Sequence, residues 1–243
     1  MSKGTLRQIL LITDGCSNSG ENPVDSAAFA FQNGITVNVI GIMDDYIDET
    51  DSGLEEVEEI ALSGGGVSQI VYKEDLSQTV QAVTRQAMTQ TLQGFVNKEL
   101  ANIFGEKRPL EEIEPEKRGE VMEVVEDLGE TCQLEVLILV DTSASMHDKL
   151  LTVKEALIDL SINLHARTGE NKFAIYQFPS KRKTIEIIQD WSSELNSISS
   201  IFPKLTSGGI TPTGPAIRDA IYQFGKMQLK GSFYDAEKYR EEG

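Results

Sequence analysis

Residues 134–146 read LEVLILVDTSASM, an apolar run interrupted by Glu135 alone that stops at Asp141 and passes into Thr-Ser-Ala-Ser-Met. Apolar residues at both parities of a strand mean that both of its faces are covered. That is the pattern of a strand in a parallel sheet with helices above and below. Asp141, Ser143 and Ser145 then bring one carboxylate and two hydroxyls to the edge where the strand ends, with Thr142 and Ala144 facing away. Hard oxygen donors of this kind suit Mg²⁺. Taken alone, the same Asp and Ser also read as caps for the helix that follows.

Working outward toward the C-terminus, Val153, Ala156, Leu157, Leu160 and Leu164 form the apolar stripe of a helix. KFAIYQF (172–178) and TIEIIQDW (184–191) read as strands joined by the basic turn PSKRK, with Trp191 in core or edge packing. SELNSISSIF (193–202) reads as a helix stopped by Pro203. The glycine-rich loop SGGITPTGP (207–215) leads into a helix marked by Ile217, Ala220, Ile221 and Phe224, and residues 227–243 read as a polar tail. On the N-terminal side, PEKRGEVMEVVEDLGE (115–130) reads as an amphipathic helix whose stripe, Val121, Val124, Val125 and Leu128, is expected to pack on the sheet. The first third alternates in the same way. QILLIT (8–13), ITVNVIGIM (35–43) and SQIVYK (68–73) read as strands. Helices are expected over 24–34 and 54–66, and over a long stretch from Asp75 to Phe104, weakened midway by Gly94. Strands alternating with helices predict an α/β fold: one doubly wound, mostly parallel six-stranded sheet with helices on both faces.

The 243 residues carry a net charge of −17. Nearly all of it sits in two stretches, 44–59 and 105–131, and the rest of the chain is close to neutral. These stretches read as solvated acidic faces, and such acidity argues against binding a nucleic-acid backbone. No apolar run reaches the roughly 18 residues of a membrane span, and the start of the chain lacks a signal-peptide apolar core. Two cysteines, Cys16 and Cys132, make no disulfide framework. A cytoplasmic location is expected from these features.

Three elements together resemble the von Willebrand factor A (VWA) domain with its metal-ion-dependent adhesion site. They are Asp141, Ser143 and Ser145 after a strand, Thr211 in SGGITPTGPAI, and Asp14 in LLITDG. Within that family the chain is similar to uncharacterised proteins of spore-forming bacteria. The order of the elements departs from the family, in which the TPTG-type helix is followed directly by the strand ending in TDG. Here that helix closes the chain and that strand opens it. The resemblance therefore implies a circularly permuted VWA domain. Residues 1–90 would be its C-terminal half, 133–226 its N-terminal half, and 91–132 a long helix end and acidic helical linker between them, all forming one structural domain. It also implies that Asp14 and Asp141 lie on adjacent central strands.

The resemblance further implies a non-enzymatic binding module. Asp141, Ser143, Ser145, Thr211 and Asp14 would hold Mg²⁺, or Mn²⁺ or Ca²⁺, and one open coordination position would take an Asp or Glu from a partner protein. His147, Ser17 and Asn18 are candidates for the rim of that position. Read without the resemblance, Thr211 is a helix-start residue, Asp14 a turn residue, Ser17 and Asn18 a plain loop, His147 an exposed helix-start histidine and His165 a C-terminal helix residue. Two other functions compete. One is a metal-dependent, phosphatase-like hydrolase with Asp141 as nucleophile, although no Asp-x-Asp, GxSxG or HExxH string is present. The other is a structural protein with a vestigial metal site that interacts through the 116–128 helix. A monomer is favoured, and a swapped dimer in which two chains complete each other's sheet is the alternative.

Overall fold

Six strands carry the fold: β1 (Thr5–Thr13), β2 (Ile35–Met43), β3 (Gly65–Tyr72), β4 (Gln133–Asp141), β5 (Asn171–Phe178) and β6 (Glu186–Ser192). In the computed structural model, which describes residues 4–15, 17–43, 52–72, 75–104, 115–165, 167–193 and 209–241, they form one sheet in the order β3-β2-β1-β4-β5-β6. All neighbours are parallel except β5 and β6, which are antiparallel across a short connection. Among the described residues six helices accompany them: α1 (Pro23–Gln32), α2 (Ser52–Ser63), α3 (Leu76–Phe104), α4 (Pro115–Thr131), α5 (Leu150–His165) and α6 (Thr213–Glu241). The doubly wound α/β class expected from the alternation is the class observed.

Strand β1 shows why its sequence is apolar throughout. Leu10 and Ile12 point into one layer, and Ile9 and Leu11 into the other. On the first side α3 supplies Leu76, Val80, Val83 and Ala87, and α5 supplies Val153, Ala156, Leu157 and Leu160. On the second side α1, α2 and α6 contribute Ala27, Ala30, Val57, Ile60, Ala216, Ile217, Ala220 and Phe224. Two covered faces need two apolar parities, and the strand has both. Where the β2–β3 register shifts near Val37, the Asn38 side-chain oxygen accepts the Val67 N–H at 3.1 Å and replaces the lost ladder partner. At the β6 edge Trp191 stacks at a tilt on Phe224, ring centroids 5.1 Å apart.

Two expectations are corrected. The stripe of α4 is rotated: Val125 is buried, Val121, Met122 and Leu128 are half-buried, and Val124 is exposed. It packs on α3 and joins neither of the two cores on the sheet faces. Gln93 of α3 reaches the Met122 sulfur, and Leu92 lies beside Gly129. The polar tail is also no tail, because α6 continues to Glu241. A polar segment needs no apolar stripe to extend a helix that is already nucleated, since propagation adds one hydrogen bond per residue fixed. The helix expected at 193–202 lies outside the described residues except for Ser193, and Cys16 and the first half of the first acidic run, 44–51, lie outside them too. Among the described residues no helix is long and apolar enough to cross a membrane.

The turn of α6 nearest the site is set by close backbone approach. A Cβ on Gly214 would lie 2.1 Å from the Glu21 carbonyl oxygen, so the start of α6 can rest on the segment before α1 only because residue 214 is glycine. Gly94, by contrast, sits in an exposed helix interior with open space around it. In urea titrations Gly214→Ala is expected to lower stability by roughly 1–3 kcal/mol, and Gly94→Ala to raise it by about 1 kcal/mol. Equal midpoints for the two variants would contradict this account.

Candidate metal centre

The sheet winds outward from its middle in both directions: β1 leads to β2 and β3, and β4 leads to β5 and β6. The carboxyl ends of β1 and β4 are therefore the point where strand order reverses, and a crevice opens at such a point in doubly wound sheets. Asp141 is the last residue of β4, and Asp14 is one residue past the end of β1. Residues separated by 127 positions in sequence thus emerge side by side from adjacent parallel strands.

Asp141 is fully buried and held from two sides. Its Oδ1 accepts the Ser143 backbone N–H at 2.7 Å, and its Oδ2 accepts the Thr13 hydroxyl at 2.8 Å. The Thr13 hydroxyl in turn accepts the Gly15 N–H at 3.1 Å, which ties the turn after β1 to the end of β4. Ser143 and Ser145 stand with their hydroxyl oxygens 3.2 Å apart. Thr142 turns away, and its N–H and hydroxyl both donate to the Phe178 carbonyl at the end of β5. Thr211 is buried, and its backbone is clamped by the loop that follows Asp14. Its N–H donates to Asn18 Oδ1 at 2.8 Å, and its carbonyl accepts from the Asn18 N–H at 3.1 Å and the Ser17 hydroxyl at 3.3 Å. Ser17 and Asn18, entertained as rim residues, thus position Thr211. His147 is exposed, one residue beyond a 3-10 turn at Ala144–Met146.

Three further residues belong to this constellation. Thr13 orients Asp141, as described. Lys149 is 4% exposed, and its Nζ lies 3.1 Å from Asp14 Oδ2, while the Asp14 side chain is 10% exposed. Glu56, in an acidic run that reads as a solvated face, turns inward and accepts the Ser17 N–H on both carboxylate oxygens, at 3.0 and 3.1 Å. Its neighbours Glu55, Glu58 and Glu59 are exposed as expected. Burial pushes the Glu56 carboxyl above the usual range, against the Ser17 hydrogen bond. Thr13 had a local signal, a hydroxyl immediately before Asp14 at a strand end. Lys149 and Glu56 had none, since a single lysine near a helix start and one glutamate among many are indistinguishable from surface residues. Gly15 (φ 96°) completes the turn, and a Cβ there would lie 2.9 Å from the Gly53 Cα at the start of α2.

Burial pushes the Asp141 carboxyl up to about 6. The hydrogen bonds from Ser143 and Thr13 oppose the rise, and the Asp14 charge adds to it. The donor set, two carboxylates and the hydroxyls of Ser143, Ser145 and Thr211, is all oxygen and fits a hard divalent cation such as Mg²⁺. Among the described residues no three His, Cys, Asp or Glu are grouped so as to hold a metal ion, so any cation here would depend on the hydroxyls as well as the two carboxylates. A carboxyl whose folded value is raised favours folding when protonated. That contribution is complete below the unfolded value near 4 and is lost as pH rises through about 6. In chelator-treated protein at pH 7.5, Asp141→Asn is therefore expected to be more stable than the parent by up to roughly 2–3 kcal/mol. The advantage should vanish by pH 4, and chemical unfolding at the two pH values checks it.

Comparison with known proteins adds relatives. No known family model matches the chain. The uncharacterized protein YabS of Bacillus subtilis (strain 168) is 58% identical over 243 residues, covering 100% of this chain and 99% of that protein. The crystal structure of an uncharacterized protein from Alicyclobacillus acidocaldarius superposes with a TM-score of 0.84 at 42% identity, over 93% of this chain and 96% of the other. A structure of proximal thread matrix protein 1 from the mussel byssus, with a zinc-occupied MIDAS motif, aligns over 88% of this chain and 46% of that one. Its 16% identity and TM-score of 0.29 are too low to carry any inference. With near-complete coverage at 58% identity, the chain belongs to the family of Bacillus subtilis YabS.

Proposed function

We propose that this protein is a circularly permuted VWA-type binding domain. It holds a divalent cation, Mg²⁺ by its donor set, among Asp141, Ser143, Ser145, Thr211 and Asp14, and docks an aspartate or glutamate of a partner protein on the open coordination position. It acts without catalysing a reaction, as a monomer in the cytoplasm. The observation that supports this reading most is the meeting of Asp14 and Asp141 at the reversal point of the strand order. The loop after Asp14 there also grips the backbone of Thr211. A pure helix-cap role for Asp141 would leave unexplained why a second carboxylate and a clamped threonine share its crevice. It would also leave unexplained a carboxylate buried at a cost to folding, since unpaired buried charges are strongly disfavoured. A divalent cation would turn that cost into a gain by favouring the ionised form of Asp141. A partner carboxylate suits a hard cation that retains exchangeable waters.

Metal-stripped protein titrated with Mg²⁺, Mn²⁺ and Ca²⁺ tests this. At about one hundred times the dissociation constant the melting temperature should rise by roughly 5–10 °C. Asp141→Ala should abolish the rise, and Thr211→Ala should weaken it. No shift with any of the three cations would overturn the proposal. Capture of a partner that requires the cation, and is lost on Asp141→Ala, would establish the docking role.

A further inference from the structure

We propose that Lys149 is a tethered competitor for the cation site: its ammonium occupies the Asp14 carboxylate in the metal-free protein and must be displaced for a divalent cation to bind, so that it sets how readily the site loads. The inference rests on the metal reading above and concerns its regulation. Lys149 Nζ lies 3.1 Å from Asp14 Oδ2, and both side chains are almost completely shielded from water. The pair spans 135 residues of sequence and joins the start of α5 to the turn after β1.

The location of Lys149 has no local explanation. Its carbonyl accepts the Val153 N–H at 3.0 Å, so it stands at the N-terminal cap of α5. A side-chain acceptor is favoured at that position, and the helix dipole makes a cation there unfavourable. Burial adds to the penalty for an ammonium. What helps to offset these terms is a carboxylate close by, and Asp14 supplies one at 3.1 Å. The same Asp14 is needed beside Asp141 for a dication, and a cation already on it would repel a second. A lysine can serve as a removable occupant because its charge sits at the end of a flexible four-carbon stem. Lys149 then supplies a positive charge within the crevice, and loading exchanges that ammonium for an external ion of twice the charge.

Calorimetric titration of the full-length chain with MnCl₂ and MgCl₂ tests the proposal, using the parent, Lys149→Met and the double variant Lys149→Met/Asp141→Ala. Lys149→Met is expected to bind the cation at least about tenfold more tightly than the parent, because a nearby like charge is removed, and to melt lower than the parent in chelator. The double variant is expected not to bind. An unchanged or weakened affinity in Lys149→Met beside a binding parent would overturn the competitor role while leaving the metal site intact. Absence of binding in both would overturn the metal reading and this proposal with it. If Lys149→Met does not fold, Lys149→Gln keeps a hydrogen-bond donor for Asp14 without the charge, and the same comparison applies.

Discussion

The pairing of β1 with β4 holds the rest of the structure in place. It runs in parallel register from Thr5 opposite Gln133 to Ile12 opposite Val140 and joins the two halves of the chain into one sheet. Without it, β1 to β3 and β4 to β6 would each present an unpaired apolar edge, and neither half would have enough neighbouring surface to bury its helices. Parallel pairing also fixes which ends coincide. Strands that run together deliver their carboxyl ends to the same edge, so Asp14 and Asp141 meet as a consequence of direction, before any side-chain contact is considered. The Thr13–Asp141 hydrogen bond is then a lock on a seam already closed.

Around that seam stability and chemistry pull in opposite directions. A fully buried Asp141 with its carboxyl pushed up to about 6, a second aspartate beside it and a shielded lysine are an expensive arrangement for a fold that needs only a cap. Hydrogen bonds from Ser143 and Thr13 soften the cost to Asp141 but do not cancel it. Tension of this sort, concentrated at the reversal point of a doubly wound sheet, is more readily understood as a prepared site than as packing.

Thr211 is brought to the same place by backbone geometry. The start of α6 approaches the segment before α1 at Gly214, the loop at Ser17 and Asn18 grips the Thr211 backbone, and Glu56 of α2 holds that loop through the Ser17 N–H. The loop thus links α2, β1 and α6.

Periodicity alone determined the class of fold. β2 spans the run read as a strand, and Val153, Ala156, Leu157 and Leu160 of the α5 stripe are buried as expected, because a strand or helix covered on known faces writes its burial into local spacing. The Asp-x-Ser-x-Ser turn was equally local, and only the resemblance attached Asp14 and Thr211 to it. What tertiary structure decided was every feature that depends on a partner far along the chain. The rotation of the α4 stripe answers to α3, leaving Val124 in solvent. The inward turn of Glu56 answers to Ser17, and the burial of Lys149 answers to Asp14, 135 residues away. A local pattern records how much of a residue is covered and on which side; it carries no record of which distant charge or hydrogen-bonding group does the covering.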